Sequence, residues 1–106
     1  MYKPLPDSLV IGSSTIEGQG LFAKTNIKGK VNLGITHIKL GEKIIRTPLG
    51  GFINHSDTPN CVKSHTFVTN HDDSKIKYDY KQWNLFTVKD IKAGEELTLE
   101  YSFYKI

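Results

Sequence analysis

The chain has 106 residues, a formal net charge of +3 and ordinary apolar and charged fractions, which suits one domain with a modest core. No run approaches the ~20 apolar residues that cross a bilayer, and the N-terminus lacks a signal-peptide apolar segment. A single cysteine, Cys61, excludes an internal disulfide, and the four histidines show no tight metal spacing. We therefore expect a soluble, intracellular protein that binds no metal and no membrane.

The positive charge is unevenly distributed along the chain. Residues 1–50 carry a net charge of +4, whereas residues 51–106 carry −1. A nucleic-acid surface needs clustered cations interleaved with aromatic residues. The lysines here are dispersed and Arg46 is the only arginine, so we expect no direct nucleic-acid binding.

The first half of the chain is typical of short strands separated by turns. Leu9–Ile11 and Leu21–Ala23 are apolar runs bounded by glycine and serine, which predicts two strands. Across residues 31–49 apolar and polar residues alternate, which predicts further strands with a hairpin turn at Gly41–Lys43. His37 and Arg46 are candidates to line a site, but polar residues of this kind favour surface or edge-strand positions.

The second half continues the same pattern. Strands are predicted near residues 62–68, 75–80, 83–88 and 97–101, separated by polar turns. No window of 11 residues shows a 3.6-residue apolar period, so helix should be scarce. Many short strands with frequent turns predict a mainly β fold of small sheets around one core.

Three motifs stand out from this background. They are Gly18–Ala23 (GQGLFA), Asn54–Cys61 (NHSDTPNC) and Gly94–Tyr101 (GEELTLEY). Together, and in this order, they resemble the SET-domain family of protein-lysine methyltransferases. The short length of the chain is similar to that of the family's minimal viral and bacterial members. The resemblance extends from residue 18 to residue 101, nearly the whole chain.

The resemblance implies a fold and an activity. The fold would be one minimal SET domain over residues 1–106, β-clip-like, with the final segment threaded under the Asn-His strand in a knot-like arrangement. The activity would be transfer of a methyl group from S-adenosylmethionine to a lysine ε-amine of a protein, leaving S-adenosylhomocysteine. Such a reaction needs alignment of the reactants more than bond-making by the protein, and alignment alone contributes roughly 7–11 kcal/mol.

The motifs also imply which residues act. Tyr101 matches the catalytic tyrosine that ends the third motif, where it would orient the amine and the methyl group. Leu99 and Phe103 match positions that line the substrate-lysine channel, and Glu95 and Glu96 match a structural turn. The cofactor-binding residues implied are Glu17, Gly18, Gln19, Gly20, Asn54, His55 and Tyr101.

Two other interpretations remain open. The same scaffold can serve as a non-catalytic module that binds a peptide or the cofactor, and the motifs can simply form turns in a β-rich structural protein. The chain ends five residues after Tyr101, without the cysteine cluster that closes the lysine channel in many family members. A homodimer is therefore a possible source of the missing wall. The partner implied is a protein with an accessible lysine in a basic context, complementary to the acidic second half.

Overall fold

The computed structural model describes residues 5–69 and 79–100. Strands dominate this part of the chain, and they form two four-stranded sheets. Within the described ranges, no helix combines the length and apolarity needed to cross a bilayer. The elements are β1 (Leu9–Ser13), β2 (Gln19–Ala23), β3 (Asn32–Leu40), β4 (Lys43–Arg46), α1 (Pro48–Gly51), β5 (Asn54–His55), β6 (Cys61–Thr69), β7 (Asp79–Thr87) and β8 (Glu96–Leu99).

The first sheet has the strand order β1-β2-β8-β5. Strands β1 and β2 form an antiparallel hairpin, and β8 pairs antiparallel with β2 on one side. On its other side β8 pairs parallel with β5. The last strand of the described chain therefore lies inside the sheet, between segments that come much earlier in the sequence.

The second sheet has the order β4-β3-β7-β6 and is antiparallel throughout. Strands β6 and β7 pair without interruption from Cys61↔Thr87 to Thr69↔Asp79, as expected for residues rich in β-branched and aromatic side chains. The predicted hairpin turn at Gly41–Lys43 is confirmed, because Leu40 pairs with Lys43 across it.

One core is built from both sheets. Its members are apolar and almost fully excluded from solvent, so that burying them supplies the main driving force for folding. The described core comprises Leu9, Leu21, Ala23, Ile27, Leu33, Leu49, Ile53, Cys61, Leu85, Ile91, Leu97 and Leu99.

A one-turn helix, α1, lies where alternation predicted only strand and turn. Thr47 caps it, since its hydroxyl accepts a hydrogen bond from the Gly50 amide, and Pro48 occupies the first turn. The same hydroxyl also donates to the carbonyls of Ile35 and Thr36 at 2.6 and 3.1 Å. Thr47 therefore fastens the helix to β3 and directs the chain towards β5.

The mainly β fold with very little helix is confirmed. Arg46 lies exposed on the edge strand β4, as predicted, but His37 does not lie at the surface. Its side chain is 5% exposed and its Nδ1 lies 3.0 Å from the Thr36 hydroxyl. That hydroxyl donates onward to the Trp83 carbonyl, so its oxygen is left to accept from His37. A neutral imidazole that carries its proton on Nδ1 makes this hydrogen bond and keeps the buried Nδ1 paired. The predicted turn at 70–74 and most of the strand at 75–80 lie outside the described residues.

The packing of α1 on β3 gives a matched pair of glycine substitutions. A Cβ at Gly50 would lie 2.6 Å from the Thr36 carbonyl oxygen and 2.9 Å from His37 Cε1, whereas at Gly51 the nearest atom would be 3.6 Å away. We expect Gly50→Ala to lower the free energy of unfolding by about 1–3 kcal/mol, because the backbone must move. Gly51→Ala should be neutral or slightly stabilising. Chemical denaturation measures both, and equal effects would contradict the packing.

The buried His37 predicts a pH dependence. Burial, together with Lys63 and Arg46, lowers the pKa of His37 from 6.5 to about 4. Between these values the unfolded chain holds the additional proton, so stability should be lost as the pH falls from 6.5 to 4 and change little further below 4. This contribution should amount to about 3 kcal/mol. Unfolding curves of the wild type and of His37→Gln across this range test it, with the exposed His65→Gln as control. Equal slopes in all three proteins would exclude His37 as the cause.

Candidate functional site

The three motifs lie on three neighbouring strands. Leu21 of the first motif pairs with Leu97 of the third, and Asn54 of the second pairs with Thr98 of the third. Segments that are tens of residues apart in sequence thus form adjacent strands β2, β8 and β5. The site can be described from the side chains that cross between these strands.

The amide of Asn54 joins β5 to the loop before β2. Its Nδ2 donates to the carbonyls of Glu17 and Gln19, both at 3.1 Å, and to Glu96 Oε2 at 2.9 Å. The two hydrogens are therefore shared among three acceptors, which lie in the first motif, in the third motif and at Glu17, directly before the first. Four of the predicted residues, Glu17, Gly18, Gln19 and Gly20, are brought beside Asn54 by this contact.

Glu96 is the second centre of the network. The Ser14 hydroxyl lies 2.8 and 2.9 Å from its two carboxylate oxygens, and Ser14 Oγ itself accepts from the Ile16 amide at 2.9 Å. Sequence reasoning assigned Glu96 to a structural turn and passed over Ser14. The contact joins residues 82 positions apart, and no local pattern around Ser14 indicates it.

The two glycines of the first motif are needed for different reasons. Gly18 adopts φ +47° with open space around it, which is backbone that a side chain disfavours. Gly20 is buried, and a Cβ there would lie 3.1 Å from Asn54 Nδ2 and would collide with the Glu96 carboxylate. Glycine at position 20 therefore permits the Asn54–Glu96 contact to form against β2.

The Asn-His bend, here residues 54–60, is held to β8 by its turn residues. The Ser56 amide donates to the Leu99 carbonyl at 3.1 Å. The Asn60 side chain bonds to the backbone of β8 as a neighbouring strand would. Its Nδ2 donates to the Glu96 carbonyl at 2.9 Å, and its Oδ1 accepts from the Thr98 amide at 2.8 Å. The His55 ring lies near the surface, with Nε2 3.1 Å from Asp57 Oδ1. Sequence reasoning gave Asn60 no role beyond its place in the motif.

Other predicted residues lie elsewhere. Leu99 has no solvent exposure and belongs to the core cluster; whether it also borders a substrate channel stays a prediction. Cys61 is buried, which raises the pKa of its thiol to about 12 and makes it a poor nucleophile. Tyr101 and Phe103 lie outside the described residues. Among the residues that are described, no group of three or more His, Cys, Asp or Glu side chains is placed to hold a metal.

The family model described as "SET domain" matches residues 32–102. This chain belongs to the SET-domain family. The match includes the second and third motifs, while the first motif lies before it and is joined to it through β2 and β8. No match is found among curated protein sequences.

Solved structures show the same SET fold. A Plasmodium falciparum protein provisionally assigned as a histone methyltransferase aligns with TM-score 0.67 and 18% identity, over 89% of this chain and 96% of that one. Chaetomium thermophilum Polycomb Repressive Complex 2 aligns with TM-score 0.67 and 24% identity in its autoinhibited, S-adenosylmethionine-bound form, and with 0.65 and 24% in its GSK126-bound form. The present chain covers 90% and 89% of its own length in these two alignments but spans only 15% and 16% of the Chaetomium chains.

The hydrogen bonds that join Asn54 to Glu96 and to the loop at residues 14–20 predict the effect of a near-isosteric substitution. Asn54→Asp would place a carboxylate oxygen where Nδ2 now donates to three acceptors, so the loop at residues 14–20 should detach. We expect a loss of about 2–3 kcal/mol in the free energy of unfolding and faster amide hydrogen exchange in that loop.

Asn84→Asp is the matched control for this substitution. Among the described residues, its Nδ2 donates only to Asn32 Oδ1, at 3.2 Å, on the second sheet. We expect the change to cost less than about 1 kcal/mol and to leave the loop unaffected. Similar hydrogen exchange in both variants would show that Asn54 does not hold the loop.

Proposed function

We propose that this chain transfers a methyl group from S-adenosylmethionine to a lysine ε-amine of a protein substrate. The observation that carries the proposal is the convergence of the three motifs on strands β2, β8 and β5 in a chain of the SET family. The fold neighbours add support, since one is described as bound to S-adenosylmethionine and another is assigned to the histone methyltransferases.

The residues around Asn54 suit a cofactor that carries both an ammonium group and hydrogen-bonding edges. Strand β5 is the outermost strand of its sheet, and the Ser56 amide points to β8. Because peptide groups alternate sides along a strand, those of His55 point away from β8, towards the outer edge of the sheet. Asn54 directs its amide hydrogens inward, and its Oδ1 is the atom we assign to accept from the ammonium.

The loop of Glu17, Gly18, Gln19 and Gly20 would form the other side of the cofactor site. Its carbonyls at positions 17 and 19 are already bonded to Asn54, so the loop is held in place before a ligand arrives. Glycine at position 18 leaves the backbone open to close approach. A loop that is ordered in advance loses less conformational entropy on binding.

The chemistry requires few ionisable groups. When bound, S-adenosylmethionine supplies an electrophilic methyl carbon: the N–C bond forms as the C–S bond breaks, and S-adenosylhomocysteine leaves. An unperturbed lysine has a pKa of about 10.4 and is mostly protonated at neutral pH. A neighbouring positive charge lowers that pKa, and the proton passes to solvent without a dedicated base. We assign Tyr101 to orient the amine through its hydroxyl, and Leu99 and Phe103 to border the lysine channel.

Three finer assignments belong to the same proposal. We take residues 1–106 as one minimal SET domain, because 96% of the Plasmodium chain aligns with 89% of this one. That the domain is of the kind found in viruses and bacteria stays a prediction from its short length. We take the substrate to be a basic protein segment, for which histones are a suitable first candidate. A homodimer remains the predicted source of any channel wall that the chain itself does not supply.

Substituting Tyr101 tests the catalytic assignment. Tyr101→Phe removes one hydroxyl, and we expect methyl transfer to core histones to fall by at least about 100-fold, the lower end of what one positioned catalytic group contributes. Binding of S-adenosylmethionine, measured by calorimetry, should change little. Intact-mass analysis of the histones after incubation with the cofactor measures the transfer.

Tyr80→Phe, on β7 of the second sheet, serves as the control and should retain wild-type turnover. Unchanged transfer by Tyr101→Phe would remove Tyr101 from the role. Cofactor binding by the wild type without transfer to any protein would favour the non-catalytic module instead. Absence of cofactor binding would refute methyl transfer and a cofactor-binding module, and would favour the β-rich structural protein.

A further inference from the structure

The outer end of the second sheet carries a row of four side chains that the methyl-transfer site does not use. Ile44 lies opposite Lys39, Lys39 opposite Lys81, and Lys81 opposite Phe67. Residues directly opposite each other in antiparallel strands point to the same face of the sheet. These four residues, here called the outer row, therefore form a continuous strip across β4, β3, β7 and β6.

The outer row is accessible and borders a groove. Phe67 is 70% exposed and Ile44 is 47% exposed, which is unusual for side chains of this size. An open groove of about 430 Å³ lies beside them, lined by Lys39, Gly41, Phe67, Tyr80 and Lys81. That volume falls within the range of roughly 300–1,000 Å³ typical of ligand sites.

The electrostatics of the outer row favour an anion. Lys39 and Lys81 are cross-strand neighbours, and like charges in that position repel. Within the described part of the chain, neither ammonium has a carboxylate partner within 4.0 Å. The Lys81 ammonium instead lies 5.7 Å from the Phe67 ring centre and 4.8 Å from that of Trp83. An anionic ligand would relieve the repulsion, and an aromatic one would cover the exposed ring.

We propose that the outer row binds single-stranded nucleic acid, with a base stacked on Phe67 and phosphates at Lys39 and Lys81. An exposed aromatic side chain beside cations on a sheet face is the arrangement that such ligands use. An acidic polypeptide would use the two lysines but would leave Phe67 without a partner. The lysines look dispersed in the sequence, which led us to expect no nucleic-acid contact. The pairing of β3 with β7 brings two of these lysines together.

The outer row is separate from the methyl-transfer site. Cys61 is the end of β6 nearest the Asn-His bend. Phe67 lies six residues further along that strand, at a distance of about 20 Å. The residues of the outer row are absent from the core cluster. Binding there would hold the protein on a nucleic acid while leaving strands β2, β8 and β5 accessible, and the proposal does not depend on methyl transfer.

Fluorescence anisotropy with a labelled single-stranded oligo-uridylate tests the proposal on the full chain at low salt. We expect Phe67→Ala to weaken binding by about tenfold, since one stacked base is lost, and Phe67→Tyr to restore it. Lys39→Ala and Lys81→Ala should each weaken binding and reduce the slope of log K against log salt by about 0.7. The matched control is Lys24→Ala, which removes an exposed lysine elsewhere and should have little effect.

The outcomes that overturn the proposal are distinct. Absence of binding at low salt would exclude the site. Equal losses for Lys24→Ala and Lys81→Ala would indicate non-specific attraction to a basic protein. Competition by polyglutamate at equal charge, with no effect of Phe67→Ala, would assign the surface to an acidic polypeptide. Circular dichroism of each variant establishes that the fold is retained.

Discussion

The pairing of β8 on both of its edges is the interaction on which the site depends. This strand is four residues long, and it is paired along both of its edges. It is antiparallel to β2 on one side and parallel to β5 on the other, and Asn60 adds two side-chain bonds to its backbone. Leu97 and Leu99 anchor it in the core with no solvent exposure. Because β8 lies between the first and second motifs, neither can keep its position unless β8 is in place.

Polar contacts then convert a packed sheet into a shaped site. Removing part of a carboxylate from water is unfavourable unless donors replace the water, and the Ser14 hydroxyl and the Asn54 amide supply those donors to the partly buried Glu96. The loop at residues 14–20 is thereby fixed through its carbonyls instead of through apolar contacts, which suits a segment that stays exposed. This arrangement leaves a polar, ordered edge where a ligand can bind without first ordering the backbone.

The sequence allowed the strands and the identity of the site segments to be predicted, but not the contacts between them. Alternation and turn residues are local signals, and they located β6, most of β3 and the hairpin at Gly41–Lys43. The Ser14–Glu96 bond depends on pairing between residues 82 apart, to which local signals are blind. His37 was misplaced for a related reason: a polar side chain predicts exposure unless its buried partner, the Thr36 hydroxyl, is known. Helix α1 was missed because one turn of PLGG has no periodicity to detect.

The small size of the chain explains why one end of the second sheet extends beyond the core. A protein of 106 residues has a large surface relative to its volume and can build only a limited core. Strands β6 and β7 are nine residues long, or about 30 Å, and only their Cys61 and Leu85 end lies in the core cluster. The rest of the sheet extends beyond that core. Natural sheets usually place isolated charges or polar residues on such faces. Here an exposed phenylalanine lies beside two adjacent lysines, an arrangement that the proposed nucleic-acid ligand would account for.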